Sequence, residues 1–494
     1  MDLPKLIQGG MGIGVSNWRL AQAVSRTGQL GVVSGTALDQ LVVRRLADGD
    51  RDGAMRRAFD AFPLPRIAQR IWEQYFVPGG KSPDAPYPTL PMLQHRSPRT
   101  ELLMLSNFAE VFLARQGHGH KVGINYLEKV QIPHLASIYG AMLAGVGYVL
   151  MGAGIPLHIP AVLDRLASGQ PAEYKFSVSG TPPAGTAAEQ ETTLHFDPRD
   201  YAVTPLPTRP QFLAIVSSNT LATTMMRRAS GRVDGLILET RTAGGHNAPP
   251  RGKSTLDATG QPVYGERDNV DLSDLQRLGV PFWLAGGYGS ADKLREALAL
   301  GATGIQVGTA FALCEESGLR DDLKQQLLAQ AIRGEATVFT DPQASPTGFP
   351  FKVAQLPGTY SDAEVAALRP RTCDLGYLRE AYWTAEGQIA YRCAAEREAT
   401  FQDKGGKPEE SAGRKCLCNA LLANVGHPQL RADGFLEPPL VTIGDDVNEV
   451  VAFLQSAPRL AEAQQVDPQA ATRVGYSAAH VVATLLQGAT EQTA

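Results

Sequence analysis

Between Lys5 and Glu335, eight short apolar runs alternate with longer amphipathic segments, and this alternation constrains the fold more than any other feature. The runs are Lys5–Gln8, Gly31–Ser34, Lys121–Asn125, Tyr148–Met151, Phe212–Ser217, Gly235–Glu239, Pro281–Ala285 and Gly304–Val307. Most are continuously apolar, the pattern of parallel strands covered on both faces. A strand run followed by a helical segment reads as a βα unit. Eight such units in succession predict an α/β fold, a (β/α)8 TIM barrel rather than a doubly wound sheet.

Capping residues mark the intervening helices. Asn17 is expected to cap a helix to Arg26, and further helices are expected over 134–144 and 160–168. Asn219 or Thr220 is expected to open Leu221–Ala229, and Ser273 to open Asp274–Leu278. Ser290 fits an N-cap for Ala291–Leu300 with Gly301 just past its end. Leu319–Arg333 reads as the eighth helix. The barrel is thus assigned to 1–335, with long insertions at about 39–119, 169–210 and 244–271; 336–494 reads as a mainly helical C-terminal extension packed on it. The second insertion reads as a hairpin, Glu173–Ser179 against Thr192–Phe196. Insertions of this length are seldom idle. The first one and the extension are expected to cover the barrel mouth or to form a subunit interface, as in a homodimer.

Composition narrows the function. Apolar residues make up 43%, charged residues 19%, and the formal charge is −4. That balance gives no basic footprint for nucleic acid. The segment Gln131–Leu163 lacks charged side chains but is broken by Pro133, Gly140, Gly145, Gly147, Gly152, Gly154, Pro156 and Pro160. It does not read as a spanning helix, which needs about 20 mostly apolar residues. With no secretory signal pattern at Met1–Lys5 and five sparse cysteines, a cytoplasmic enzyme for a small-molecule substrate is expected, binding neither nucleic acid nor membrane.

Chemistry concentrates where the apolar runs end. The seventh ends in Ala285-Gly286-Gly287 and the eighth in Gln306-Val307-Gly308-Thr309. Loops at these two positions commonly hold phosphate in such barrels. Glycine lets an anion approach backbone N–H groups. The first run leads into Gly9-Gly10-Met11-Gly12, a bare backbone that could lie against a planar ring. The sixth leads into Ala243-Gly244-Gly245-His246, offering a histidine at the face where such barrels keep their chemistry. In isolation the glycines after the first run are equally a plain turn, whereas glycine loops in two consecutive units read as a phosphate site.

Taken in order, with Gly123-Ile124-Asn125 and Gly304-Ile305-Gln306-Val307-Gly308-Thr309 among them, the motifs resemble the nitronate monooxygenase family, the 2-nitropropane dioxygenase-like FMN proteins. The resemblance implies FMN on the C-terminal face of the barrel. It implies that Gly10 and Met11 face the flavin ring, and that Asn125 meets the ring or ribityl edge. Gly244, Gly245, Gly286, Gly287, Gly308 and Thr309 would hold the phosphate, and His246 would be the catalytic histidine. Glu239 stands where the family often has an amide. The implied activity is oxidation of alkyl nitronates by O2 to carbonyl compounds and nitrite. Asp341–Lys352 is similar instead to enoyl reductases that serve polyketide and polyunsaturated fatty-acid synthases. That resemblance keeps open an NAD(P)H-dependent enoyl-thioester or quinone reductase, with an acyl-carrier protein as partner only in that case. A docking subunit, or another phosphate-binding barrel enzyme, is the remaining class. Cys373, Cys393, Cys416 and Cys418 are spaced too permissively to assign a metal site; unlinked thiols are the reading adopted, with no metal ligands named.

Overall fold

A computed structural model describes residues 3–252, 255–457 and 474–490. Eight parallel strands form the central sheet: β1 (Leu6–Gln8), β2 (Gly31–Ser34), β3 (Val122–Leu127), β4 (Tyr148–Gly152), β7 (Gln211–Val216), β8 (Gly235–Glu239), β9 (Phe282–Ala285) and β10 (Gly304–Val307). The order β1-β10-β9-β8-β7-β4-β3-β2 closes on itself, since Ile7 bridges Leu30 and Gln8 N–H donates to Leu30 C=O at 2.9 Å. This is the (β/α)8 barrel expected, with every expected run present as a strand. β5 (Ala172–Lys175) and β6 (Thr193–Phe196) pair antiparallel as the expected hairpin.

The barrel interior is filled by Ile7, Leu30, Val32, Tyr148, Leu150, Leu213, Ile237 and Trp283. Trp283 Nε1–H donates to Pro4 C=O at 2.8 Å, so its indole is buried without losing a hydrogen bond. A packed interior leaves only the strand ends free for a ligand.

Helix starts obey capping chemistry, with two corrections. Asn17 and Ser290 cap Trp18–Arg26 and Ala291–Ala299 as expected. The helix after β7 starts at Asn219, two residues earlier than expected, capped by the Ser218 hydroxyl, which accepts from Leu221 N–H at 3.1 Å. The helix Leu272–Arg277 is capped by Asp271 rather than Ser273, because the carboxylate accepts from both Ser273 N–H and Ser273 Oγ–H. Either residue could serve; the better acceptor, two residues earlier, wins.

The ring of helices holds a larger correction. Asp321–Ile332 packs against 445–450 and Val451–Ser456, not in the eighth ring position. That position, between Ala291–Ala299 and Trp18–Arg26, is filled by Ala478–Thr490 from the end of the extension. The extension therefore completes the barrel. It also contains two hairpins that were not expected, β11 (Val338–Asp341) with β12 (Phe351–Ala354), and β13 (Glu380–Trp383) with β14 (Ile389–Arg392). Within the mainly helical extension expected over 336–494, residues 458–473 and 491–494 lie outside the described residues, and its last described elements are a 3-10 turn and helix over Asp445–Ser456 and the helix Ala478–Thr490. Thr100–Arg115 is the ring helix after β2, packed on Trp18–Arg26 and His134–Leu143.

No helix among the described residues is long and apolar enough to cross a membrane.

Candidate active site

The C-terminal ends of the barrel strands open into a cavity lined by Gly10, Met11, Asn125, Gly244, Gly245, His246, Gly286, Gly287, Gly308 and Thr309. Every residue assigned from the sequence is therefore brought together. A Cβ on Gly10 would lie 2.4 Å from Asn125 Cβ, so the ends of β1 and β3 approach only because residue 10 has none. Gly286 and Gly287 have φ of 85° and 68°, a left-handed turn that side-chain-bearing residues avoid. Two others face space: a Cβ on Gly245 would meet nothing within 4 Å, and one on Gly308 would meet only the Met11 side chain, at 3.5 Å. Gln306 Oε1 lines the same cavity, buried and without a hydrogen-bond partner among the described residues.

His246 is fixed from the extension. Residues 245–247 run along β12 as an added strand: Lys352 N–H donates to Gly245 C=O and Asn247 N–H to Pro350 C=O, both at 2.9 Å. The His246 ring stands edge-on to Phe351, centroids 4.7 Å apart. Its Nε2 lies 2.7 Å from Ser345 Oγ, which is itself 2.8 Å from Thr347 Oγ1. Desolvation, with the charge of Lys129 added, holds the imidazole well below the ordinary histidine range. It is a neutral hydrogen-bonding group at pH 7, not a cation.

Three features of the site were not legible in the sequence. The first is the segment 442–446, which spans the phosphate-loop side of the cavity. Gly245 N–H donates to Thr442 Oγ1 at 2.7 Å, Asp445 N–H to Thr242 C=O at 3.0 Å, and Thr309 Oγ1–H to the Asp446 carboxylate. Lys352 Nζ pairs with Asp445 at 2.6 Å. Burial raises the Asp446 carboxyl above its ordinary range, against the Thr309 hydrogen bond. A lone glycine between a threonine and two acids was its only sequence signal.

The second is Tyr377, whose hydroxyl joins a buried triad with Asp39 and Arg99. With Leu378, Tyr377 lines this cavity and a second, outer one. The third is Glu239, left open by the sequence, which lines the inner cavity with its carboxyl raised by burial to about 7. Cys418 also lines it, and burial pushes its thiol well above the ordinary range, so it is not a thiolate. Cys373 is raised chiefly by its contact with the Cys393 thiol. All five cysteines are free, and no group of three or more His, Cys, Asp or Glu among the described residues could hold a metal.

Comparison with known proteins gives partial matches. A family model for nitronate monooxygenase matches residues 197–345, the stretch carrying Gly244–His246, Gly286, Gly287, Gly308 and Thr309. That stretch, 197–345, is similar to nitronate monooxygenases. A probable nitronate monooxygenase of Bacillus subtilis is 27% identical over 31% of this chain and 46% of its own length. A carboxyl-CoA dehydrogenase of Rhodococcus jostii, acting on a hydroxy-methyl-oxo-octahydro-indene, is 32% identical over 21% of this chain and 26% of its own. The matched stretches thus span less than half of either relative. Among solved structures, FabK from Thermotoga maritima is similar at a TM-score of 0.48 and 16% identity, covering 99% of this chain and 93% of that one.

Proposed function

We propose that the protein is an FMN-dependent oxidoreductase, and that its substrate is elongated, an enoyl thioester. The observation that carries the flavin reading is the convergence of the glycine-lined strand ends, His246 and the unpartnered Gln306 amide on a single cavity. The residues fit the group. Gly9–Met11 would back its ring, Gln306 and Asn125 would meet its polar edge, and Gly286, Gly287, Gly308 and Thr309 would take its phosphate. FMN, when bound, would supply hydride transfer; the protein would bind and orient the substrate.

His246, neutral and held by Ser345, offers a fixed hydrogen bond to an oxygen that gains negative charge during reduction, as a thioester carbonyl does. What favours a long substrate is the outer cavity beyond Tyr377 and Leu378, more room than a small nitronate needs. The Rhodococcus relative, named for a CoA thioester, accords with this.

The match to the nitronate monooxygenase family model over 197–345 favours a second reading, oxidation of an alkyl nitronate. Anaerobic absorbance titration separates the two. Under the first reading NAD(P)H bleaches the flavin and an enoyl thioester restores it. Under the second, nicotinamide nucleotides leave it oxidised and a nitronate bleaches it.

A further inference from the structure

The outer cavity lies between the end of β3, the hairpin β5–β6, the loop 346–349 and the hairpin β13–β14. Its ionisable lining comprises Lys129, Arg379, Arg392 and Arg414 against Glu128, Glu380 and Glu410. Only one of the acids pairs with one of the cations. Glu380 pairs with Arg392 at 2.8 Å. Glu128 instead accepts from Tyr174 Oη–H at 3.0 Å and Gln131 Nε2–H at 2.6 Å, and Glu410 from Lys407 N–H at 3.1 Å.

Three cations remain without a carboxylate partner among the described residues. Among the described residues Lys129 Nζ has no hydrogen-bond partner; Glu128 acts on it only as a nearby charge, and it sits 3.9 Å from the centre of the Phe349 ring. Arg379 donates to the carbonyls of Leu93 and Gly376 and stacks over Tyr391 at 4.7 Å. Arg414 spends its donors on the carbonyls of Pro342, Gln343, Ser345 and Glu410. A buried ammonium without a partner is costly. Burial pulls Lys129 down to about 7, so an arriving anion would return its proton.

We infer that the outer cavity is a binding site for the phosphate groups of a long ligand whose reactive end reaches the inner cavity past Tyr377 and Leu378, with Lys129 and Arg379 as its main contacts. Two ligands carry that chemistry: a coenzyme A thioester, which rests on the reductase reading above, and a nicotinamide dinucleotide.

Calorimetric titration of the full chain with coenzyme A and with NADP+ tests the site without needing turnover. Charge-assisted hydrogen bonds are worth about 1.5–3 kcal/mol, so Lys129→Met and Arg379→Met should each weaken binding by about tenfold or more. An N-acetylcysteamine thioester, which lacks phosphate, should bind both variants as it binds the wild type. Loss confined to coenzyme A identifies the thioester tail as the occupant; loss confined to NADP+ identifies the dinucleotide. If neither phosphate ligand binds the wild type more tightly than the variants, or if the phosphate-free thioester weakens equally, the site is overturned. Flavin content and melting temperature, read on the same samples, report separately on folding and on the flavin reading.

Discussion

His246 Nε2 and Ser345 Oγ lie 2.7 Å apart, joining the loop after β8 to a hairpin of the extension 99 residues on in the chain. The barrel supplies the imidazole and the extension sets its direction. His246→Ala should therefore retain flavin and lose turnover by about 10²–10⁴-fold, the usual scale of a positioned acid–base group. Ser345→Ala should lose less, about tenfold, since it removes orientation and not the ring. Because the imidazole is already neutral at pH 7, the wild-type rate should show no histidine titration near neutrality. Steady-state rates across pH for the three proteins check all of this.

The buried Arg99–Asp39 pair sets a stability prediction. Arg99 is 2% exposed and Asp39 fully buried, with Tyr377 completing the triad. Arg99→Met would leave the Asp39 carboxylate uncompensated and should cost about 3–5 kcal/mol. Tyr377→Phe, which removes two of the triad's three hydrogen bonds, should cost about 1–3 kcal/mol. Urea denaturation midpoints read both.

The strands and the glycine loops were legible because their causes are local. Ile237 and Leu238, or Val32 and Val33, sit in continuous apolar runs, and Gly286 and Gly287 follow directly at a strand end. Ser345, Tyr377 and Asp446 reach the cavity through contacts more than ninety residues apart in sequence, as in Ser345 to His246 and Asp446 to Thr309. Such pairings leave no periodicity to read. Ala478–Thr490 was recognisable as a helix, yet its place between the first and seventh ring helices could not be inferred from spacing, because the entire extension intervenes.

That placement makes truncation informative. A chain ending at residue 335 would expose the faces of Trp18–Arg26 and Ala291–Ala299 that Ala478–Thr490 covers, and would lose the 442–446 segment. It should be aggregated or molten by near-UV circular dichroism, whereas the full chain gives a cooperative transition.

Glu239 predicts a pH dependence of stability. Its folded carboxyl is raised to about 7 from an ordinary value of 4.5. A raised folded value means its neutral form favours the folded state: that contribution is complete below 4.5 and is lost as pH rises through 7. The flavin-free protein should therefore melt lower at pH 8 than at pH 6. Glu239→Gln, which cannot ionise, should show a smaller decline, measured by calorimetry at the two values.

The central claim is that the glycine-lined cavity holds FMN, and the absorbance spectrum of the full chain titrated with FMN tests it most directly. The wild type should take up one equivalent with the two-band spectrum of a protein-bound flavin. Gly308→Asp, whose carboxylate would enter the open space beside Met11, should fold with an unchanged melting temperature and take up little or none. A wild-type chain that binds no flavin, or a Gly308→Asp chain that binds it as tightly as the wild type, would contradict the account.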